Sequence, residues 1–253
     1  MRLGIVTYNL LKDWDLETIV TKLGELGYEG AELRTTHAHG VEPSLDPSKR
    51  ERVRRVFQDS PVRLVSLGSV CEFHSPDPME RARQVEIGRS FVDLASDTGA
   101  MGVKVRPNAL PPEVAYETTV AGIAGSLREL GDYAAERGVE IWLEVHGHNG
   151  SRPEVITDIM RATERANVGC CWNSNATDIV DGSIRQSFDL LRPWIKNVHI
   201  NELANDYPWR ELFGLLRDSG YDRFTLCEAE ECPQTERFLR YYRALWVELT
   251  RQV

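Results

Sequence analysis

Val139-Glu140-Ile141-Trp142-Leu143-Glu144-Val145-His146-Gly147-His148-Asn149-Gly150 starts as a buried strand and finishes in polar chemistry. Ile141, Leu143 and Val145 are apolar and strand-prone, with Trp142 among them. A carboxylate, two imidazoles and an amide then follow within a few positions. Burying Glu144 at a strand end is costly unless a cation or a set of hydrogen bonds compensates it. Two readings compete: a solvated strand terminus with polar loop residues, and a functional strand end. The other strand ends of the chain weigh between them.

Upstream, residues 3–6 form a short apolar run closed by Tyr8 and Asn9. Asp15 is placed to cap a helix in which Leu16, Ile19, Val20, Leu23 and Leu26 recur at helical spacing, and Gly27 ends it. Residues 30–34 are a second strand, followed by a loop with His37 and His39. Pro47 opens a helix expected over 45–57, Pro61 stops it, a third strand covers 62–67, and Cys71, Glu72, Phe73 and His74 lie just after it. Pro78 opens a long helix that Gly99 ends, and residues 102–106 are the fourth strand. Pro111 and Pro112 open the next long helix, which Gly138 ends. Downstream of the opening stretch, Pro153 starts a helix to Ala166. Strands at 168–173, 195–200 and 224–228 then alternate with helices at 184–191, 209–216 and 236–249.

Residues 26–32 and 219–225 share one order: a helix end, a glycine, a short turn and a strand. Gly99 and Gly138 mark the same junction, where a left-handed residue closes the helix. Strand starts fall roughly 27 to 40 residues apart, which is the spacing of repeated βα units. Eight such units close into a single (β/α)8 barrel, an α/β fold occupying residues 1–253 as one domain. A doubly wound open sheet is the alternative, but Thr7-Tyr8-Asn9-Leu10 is not the glycine loop that such a sheet carries after its first strand.

The 253 residues suit one such barrel, with 42% hydrophobic and 27% charged residues. A net charge of −9 argues against a nucleic-acid partner. Neither an apolar leader nor a membrane-length apolar run is evident, so a cytoplasmic protein with no membrane partner is expected. The five cysteines are odd in number and lack a Cys-x-x-Cys pair, which points to reduced thiols, mostly in the core. A homo-oligomer is compatible with all of this.

In a barrel of this type the carboxyl ends of the strands share one face, and that face carries the chemistry. Glu32 ends the second strand, His74 follows the third, Lys104 and Arg106 end the fourth, and Glu144 and His146 the fifth. Asn173 ends the sixth, His199 lies in the seventh and Glu228 ends the eighth. All six histidines fall in or just after strands. Glu144, Asn173, His199 and Glu228 come from successive strands and offer oxygen and nitrogen donors suited to Mn²⁺, Mg²⁺, Co²⁺ or Zn²⁺. The competing reading pairs Glu144 and Glu228 with cations such as Lys104 or Arg106. Trp14, Trp142 and Trp172 either face a sugar ring or pack the core.

The set Leu143-Glu144-Val145-His146-Gly147, Val168-Gly169-x-x-Trp172-Asn173, Val198-His199-Ile200 and Leu226-x-Glu228 resembles the sugar phosphate isomerase/epimerase family of xylose isomerase-like TIM barrels. Phe73-His74-Ser75-Pro76-Asp77, followed by a long helix, is similar to the family's third unit. The resemblance implies one divalent metal, Mn²⁺ foremost, held by Glu144, Asn173, His199 and Glu228. It also implies Glu144 and Glu228 as catalytic groups that move protons. The substrate is then a small carbohydrate with a carbonyl group, isomerised or epimerised through a metal-stabilised enediolate. Glu32, His74, Lys104, Arg106 and His146 would orient its hydroxyls. Asn173 departs from the usual aspartate, and Ala176 stands where the family often has a histidine. The same enediolate would allow a lyase acting on an oxidised keto glycoside. A DNA-repair endonuclease and an inactive sugar-binding barrel are the other class-level alternatives.

Overall fold

Among residues 1–251, which the computed structural model describes, eight parallel strands close on themselves. They are β1 (Arg2–Val6), β2 (Gly30–Arg34), β3 (Arg63–Glu72), β4 (Gly102–Arg106), β5 (Glu140–Glu144), β6 (Val168–Trp172), β7 (Ile195–Ile200) and β8 (Phe224–Cys227). Each pairs with the next, and β8 returns to β1 through the register Arg2↔Phe224 to Ile5↔Cys227. The helices between and after them are α1 (Leu16–Leu26), α2 (Pro47–Gln58), α3 (Pro78–Thr98), α4 (Tyr116–Ala135), α5 (Pro153–Thr163), α6 (Arg185–Leu191), α7 (Trp209–Asp218) and α8 (Thr235–Arg251). This is a (β/α)8 TIM barrel, as the spacing of strands predicts. No helix among the described residues is long and apolar enough to cross a membrane.

Local chemistry sets these boundaries. The carboxylates of Asp15, Asp46 and Asp77 accept from the backbone N–H of Thr18, Lys49 and Met79 and so cap α1, α2 and α3. Pro47, Pro78 and Pro153 sit in first turns, where a missing N–H costs nothing. The apolar residues divide into two cores. Val6, Val65, Trp142, Cys171, Phe224 and Leu226 fill the inside of the barrel. A larger cluster, including Ile5, Leu33, Phe91, Leu127 and Phe213, fills the layer between strands and helices. The inner plug is the floor on which the polar site rests.

Several expectations are corrected. Strand β3 runs on to Glu72, so Cys71 and Glu72 lie in the strand and not after it. Its register with β4 shifts between Gly68 and Glu72, which the loop-like residues Gly68-Ser69 foreshadow. Pro111 and Pro112 do not open α4, which starts at Tyr116 after Ala115. Helix α2 opens at Pro47, as expected, but leaves out Leu45 and Asp46, and α5 stops at Thr163 where Glu164 turns left-handed. Trp142 and Trp172 are fully buried, so neither offers a face to a ligand. All five cysteines are free thiols, and only Cys232 is not buried.

Candidate active site

Alternation along a strand sends residues two apart to the same side. In β2, β4 and β5 this builds two polar tiers at the carboxyl end: Glu32, Lys104 and Glu144 below, and Arg34, Arg106 and His146 above. The lower tier is almost completely enclosed, with Glu32 at 0%, Lys104 at 3%, Glu144 at 3% and His199 at 1% exposure. Lys104 Nζ donates to Glu144 Oε2 at 2.6 Å. Glu32 Oε2 accepts from Ser66 Oγ at 2.6 Å and lies 3.3 Å from His199 Nε2. Gly68 in β3 leaves the space for this, because a Cβ there would stand 2.9 Å from Glu32 Oε1.

His199 is the hub of the site. Its Nδ1 lies 3.2 Å from Glu228 Oε2 and 3.7 Å from Glu144 Oε1, yet forms no hydrogen bond. One donor atom each from Glu144, His199 and Glu228 falls within 4.8 Å of the others. An unpartnered imidazole nitrogen facing two carboxylate oxygens is a donor set that fits a divalent cation. Asn173 lines the same cleft and adds a neutral oxygen.

The electrostatics of the lower tier follow from this crowding. Burial opposes the charge on Glu144, but Lys104 and His199 beside it hold its carboxyl well below the usual range. Burial likewise opposes the charge on Glu32, which His199 and Lys104 overcome in the same direction. Lys104 is buried too, and the carboxylates of Glu144, Glu32 and Glu228 keep its ammonium pKa raised. His199 is pushed well above the ordinary imidazole value against its burial by Cys171, Glu228 and Glu32. In this arrangement a positive charge at His199, whether a proton or a cation beside it, is what the three carboxylates call for.

Above the hub lies a cleft of about 330 Å³, walled in part by Tyr8, Asn9, His146, Asn175, Asn201 and Glu230. The loop after β6 is anchored on both sides. Ser174 Oγ donates to His199 O at 2.8 Å, and Asn175 Nδ2 donates to Val145 O at 2.6 Å. A second loop closes the β4–β5 side, where the two-residue strands Asn108–Ala109 and Gly147–His148 pair with each other.

The structure thus brings Glu144, Asn173, His199, Glu228 and His146 to one cleft. Glu32 and Lys104 lie beneath it, enclosed, in contact with His199 and Glu144. Arg106 Nη2 is bound to Glu72 Oε1 at 2.6 Å, and His74 Nδ1 lies 4.0 Å from Glu72 Oε2. His39 belongs to the turn, donating through Nε2 to Arg34 O at 2.8 Å and accepting from Val41 N–H. Of the two cations considered as partners for Glu144, Lys104 is the one engaged. Glu228 has no lysine or arginine partner among the described residues. Tyr8 and Arg34 are the residues that sequence reasoning passed over. Tyr8 is 45% exposed on the cleft wall. It stands two residues past a short apolar strand, the only signal it carries.

A profile of the xylose isomerase-like TIM barrel family matches residues 20–245. The chain belongs to that family. No curated protein matches it by sequence. Among solved structures, the IOLI protein with a bound zinc atom superposes with a TM-score of 0.83 at 16% identity, over 100% of this chain and 99% of that one. D-psicose 3-epimerase from Clostridium cellulolyticum H10, in complex with D-tagatose, gives 0.82 at 15% identity, over 100% and 99%. The 3-keto-D-glucoside 4-epimerase YcjR from E. coli gives 0.80 at 16% identity, over 100% of both chains. At such identities the likeness is one of fold.

Proposed function

From membership in that family and from the geometry of the cleft, we propose that this chain is a carbohydrate epimerase or isomerase that moves a proton beside a sugar carbonyl. The observation that carries the reading is the convergence of Glu144 Oε1, His199 Nδ1 and Glu228 Oε2 at the mouth of the barrel. Two of the structural neighbours named above are epimerases of carbonyl sugars or their glycosides, which supports it. Glu144, His199 and Glu228, with the neutral oxygen of Asn173, would hold a divalent cation, Mn²⁺ foremost. When bound, such a cation supplies Lewis acidity that polarises a carbonyl and eases the charge left when a neighbouring proton departs.

The protein groups divide the remaining work. Both oxygens of Glu144 face cations or imidazole, and Lys104 holds it ionised. Glu228 is the more open carboxylate, with 21% of its side chain exposed to the cleft. Glu228 therefore removes the proton. Isomerisation needs only this one shuttle between neighbouring carbons, whereas inversion of a centre needs a second group that brings a proton to the opposite face; Glu144, held ionised, brings none, so the single shuttle at Glu228 is the reaction that balances with these groups. His146, Asn175 and Asn201 present polar atoms to hydroxyls along the wall. Asn173 brings one charge fewer than an aspartate, which favours a second reading as a sugar-binding barrel without turnover.

Proton–deuterium exchange separates the two. Mn²⁺-loaded protein is incubated in D₂O with a panel of ketoses and keto glycosides, and the carbon beside the carbonyl is followed by NMR. Exchange that disappears in Glu228→Gln is expected. Exchange surviving in that variant would remove Glu228 from the chemistry, and binding with no exchange for any sugar would select the second reading.

A further inference from the structure

The upper tier contains a cation with no ion-pair partner among the described residues. Arg34, at the end of β2, makes one long hydrogen bond, Nη1 to Thr35 O at 3.4 Å, and no ion pair among the described residues. Its backbone is fixed on both sides: the N–H donates to Thr7 Oγ1 at 2.9 Å and the carbonyl accepts from His39 Nε2. Gly68 clears its path, since a Cβ there would meet Arg34 Cδ at 3.2 Å. The guanidinium lies 6.0 Å from the ring centroid of Tyr8, and Tyr8 walls the same cleft as Glu144 and Glu228. Burial and then the like charge of Arg106 disfavour its charged form more than the distant carboxylates of Glu32 and Glu144 favour it. Arg106 spends one nitrogen on Glu72, while its Nε is buried without a partner. A half-buried guanidinium beside a second one, both with unused donors, is the donor pattern of an oxyanion site.

Charge counting selects the anion. In the upper tier Glu72 is the one ion-pair partner of Arg34 and Arg106 among the described residues, and Glu32 and Glu144 act on Arg34 only from a distance, which leaves one guanidinium for an anion. A monoanion closes that balance, and a phosphate dianion overshoots it. Resting on the carbohydrate reading above, we propose that Arg34, backed by Arg106, is a subsite for a carboxylate on the substrate, so that the substrate class is a keto sugar acid and not a neutral ketose. The carbonyl end sits at Glu144 and Glu228, and the carboxylate end reaches past Tyr8 to the guanidinium fork.

Three ketohexoses that share a carbonyl end and differ only at C6 test the class: D-fructose, D-fructuronate and D-fructose 6-phosphate, each titrated into Mn²⁺-loaded protein by calorimetry. D-Fructuronate is expected to bind about tenfold tighter than D-fructose, the scale of one charge-assisted fork. That preference should fall to about unity in Arg34→Met and be partly kept in Arg34→Lys, which retains charge without the fork. Glycolate and inorganic phosphate test the subsite without the sugar, read as the binding that Arg34→Met removes. Arg34-dependent glycolate binding with no ketose bound keeps the subsite and overturns the carbohydrate reading. Ketose binding with no Arg34-dependent glycolate signal keeps that reading and overturns the subsite. Tighter binding of the phosphate member of either series overturns the carboxylate assignment.

Discussion

At the residue scale, Glu144 and Glu228 look equivalent in the sequence and differ in the folded chain because of one neighbour. Lys104 Nζ stands 2.6 Å from Glu144, with both side chains at 4% exposure, while Glu228 faces the cleft. Removing one partner of a buried ion pair strands the other, at a cost of about 3–5 kcal/mol. Glu144→Gln should therefore lose activity and also lower stability by that order, measured by urea unfolding. Glu228→Gln should lower turnover by about 10²–10⁴-fold, the range for a lost general base, with stability nearly unchanged. Equal stability losses in the two variants would show that the Lys104 pair contributes nothing particular. Asp178 sets a second residue-level expectation. Burial raises its carboxyl from 3.8 to about 7, against hydrogen bonds from Tyr207 and Asn175. The folded chain thus holds a proton that the unfolded chain releases. The associated stability is fully present below about pH 4 and is lost as pH rises through about 7. Asp178→Asn should flatten the decline in unfolding free energy between pH 5 and 8, an effect of a few kcal/mol at most on a scale of ~1.4 kcal/mol per unit. An unchanged pH slope in Asp178→Asn would contradict the raised carboxyl. Residues such as Glu144, His199 and Glu228 are legible from position alone, because strand-end polarity is a local signal. Arg34 is not, because a terminal arginine reads as an ordinary solvated charge, and its want of a partner exists only once β3 and β4 are beside it.

Elements repeat the lesson in another form. The strands and the helix stops at Gly27 and Gly99 follow from composition, since a left-handed cap closes each helix before the next strand. The entry into α4 does not, because Pro111 and Pro112 have the signature of a first turn, yet the chain first spends residues on a short strand above β4. It pairs Asn108–Ala109 with Gly147–His148 from the neighbouring loop, two strands too brief to leave a periodic trace. Gly147 makes it possible, with φ +96 and an added Cβ only 1.7 Å from Asn108 O. Neither the backbone conformation nor the contact tolerates a side chain. Gly147→Ala is expected to separate the two strands and destabilise the chain by about 1–3 kcal/mol. Amide exchange should speed up at Asn108 and His148 while β5 itself stays protected. Exchange unchanged at those positions would mean that the bridge does not depend on the glycine. Because the bridge adjoins His146, substrate affinity should weaken along with it.

At the scale of the whole molecule, three carboxylates from β2, β5 and the end of β8 are drawn against one imidazole at the barrel mouth, in a chain already carrying a net charge of −9. The fold that holds them together works against their mutual repulsion, and Lys104 offsets only part of it. A cation that binds this cluster binds the folded chain and not the unfolded one, so it must raise stability by mass action. At a concentration one hundred times its dissociation constant the gain is about 2.7 kcal/mol. For a chain of this length that corresponds to a rise in Tm of roughly 5–10 °C. Mn²⁺ should therefore shift the melting curve upward in a concentration-dependent way, and Glu228→Gln should abolish the shift. Asn173→Asp should move the response to lower Mn²⁺ concentration, since it adds a charged oxygen of nearly the same shape. A melting temperature indifferent to Mn²⁺ in both the parent and Asn173→Asp would mean that Lys104 and a proton on His199 already satisfy the cluster, leaving the barrel to recognise its sugar without a metal.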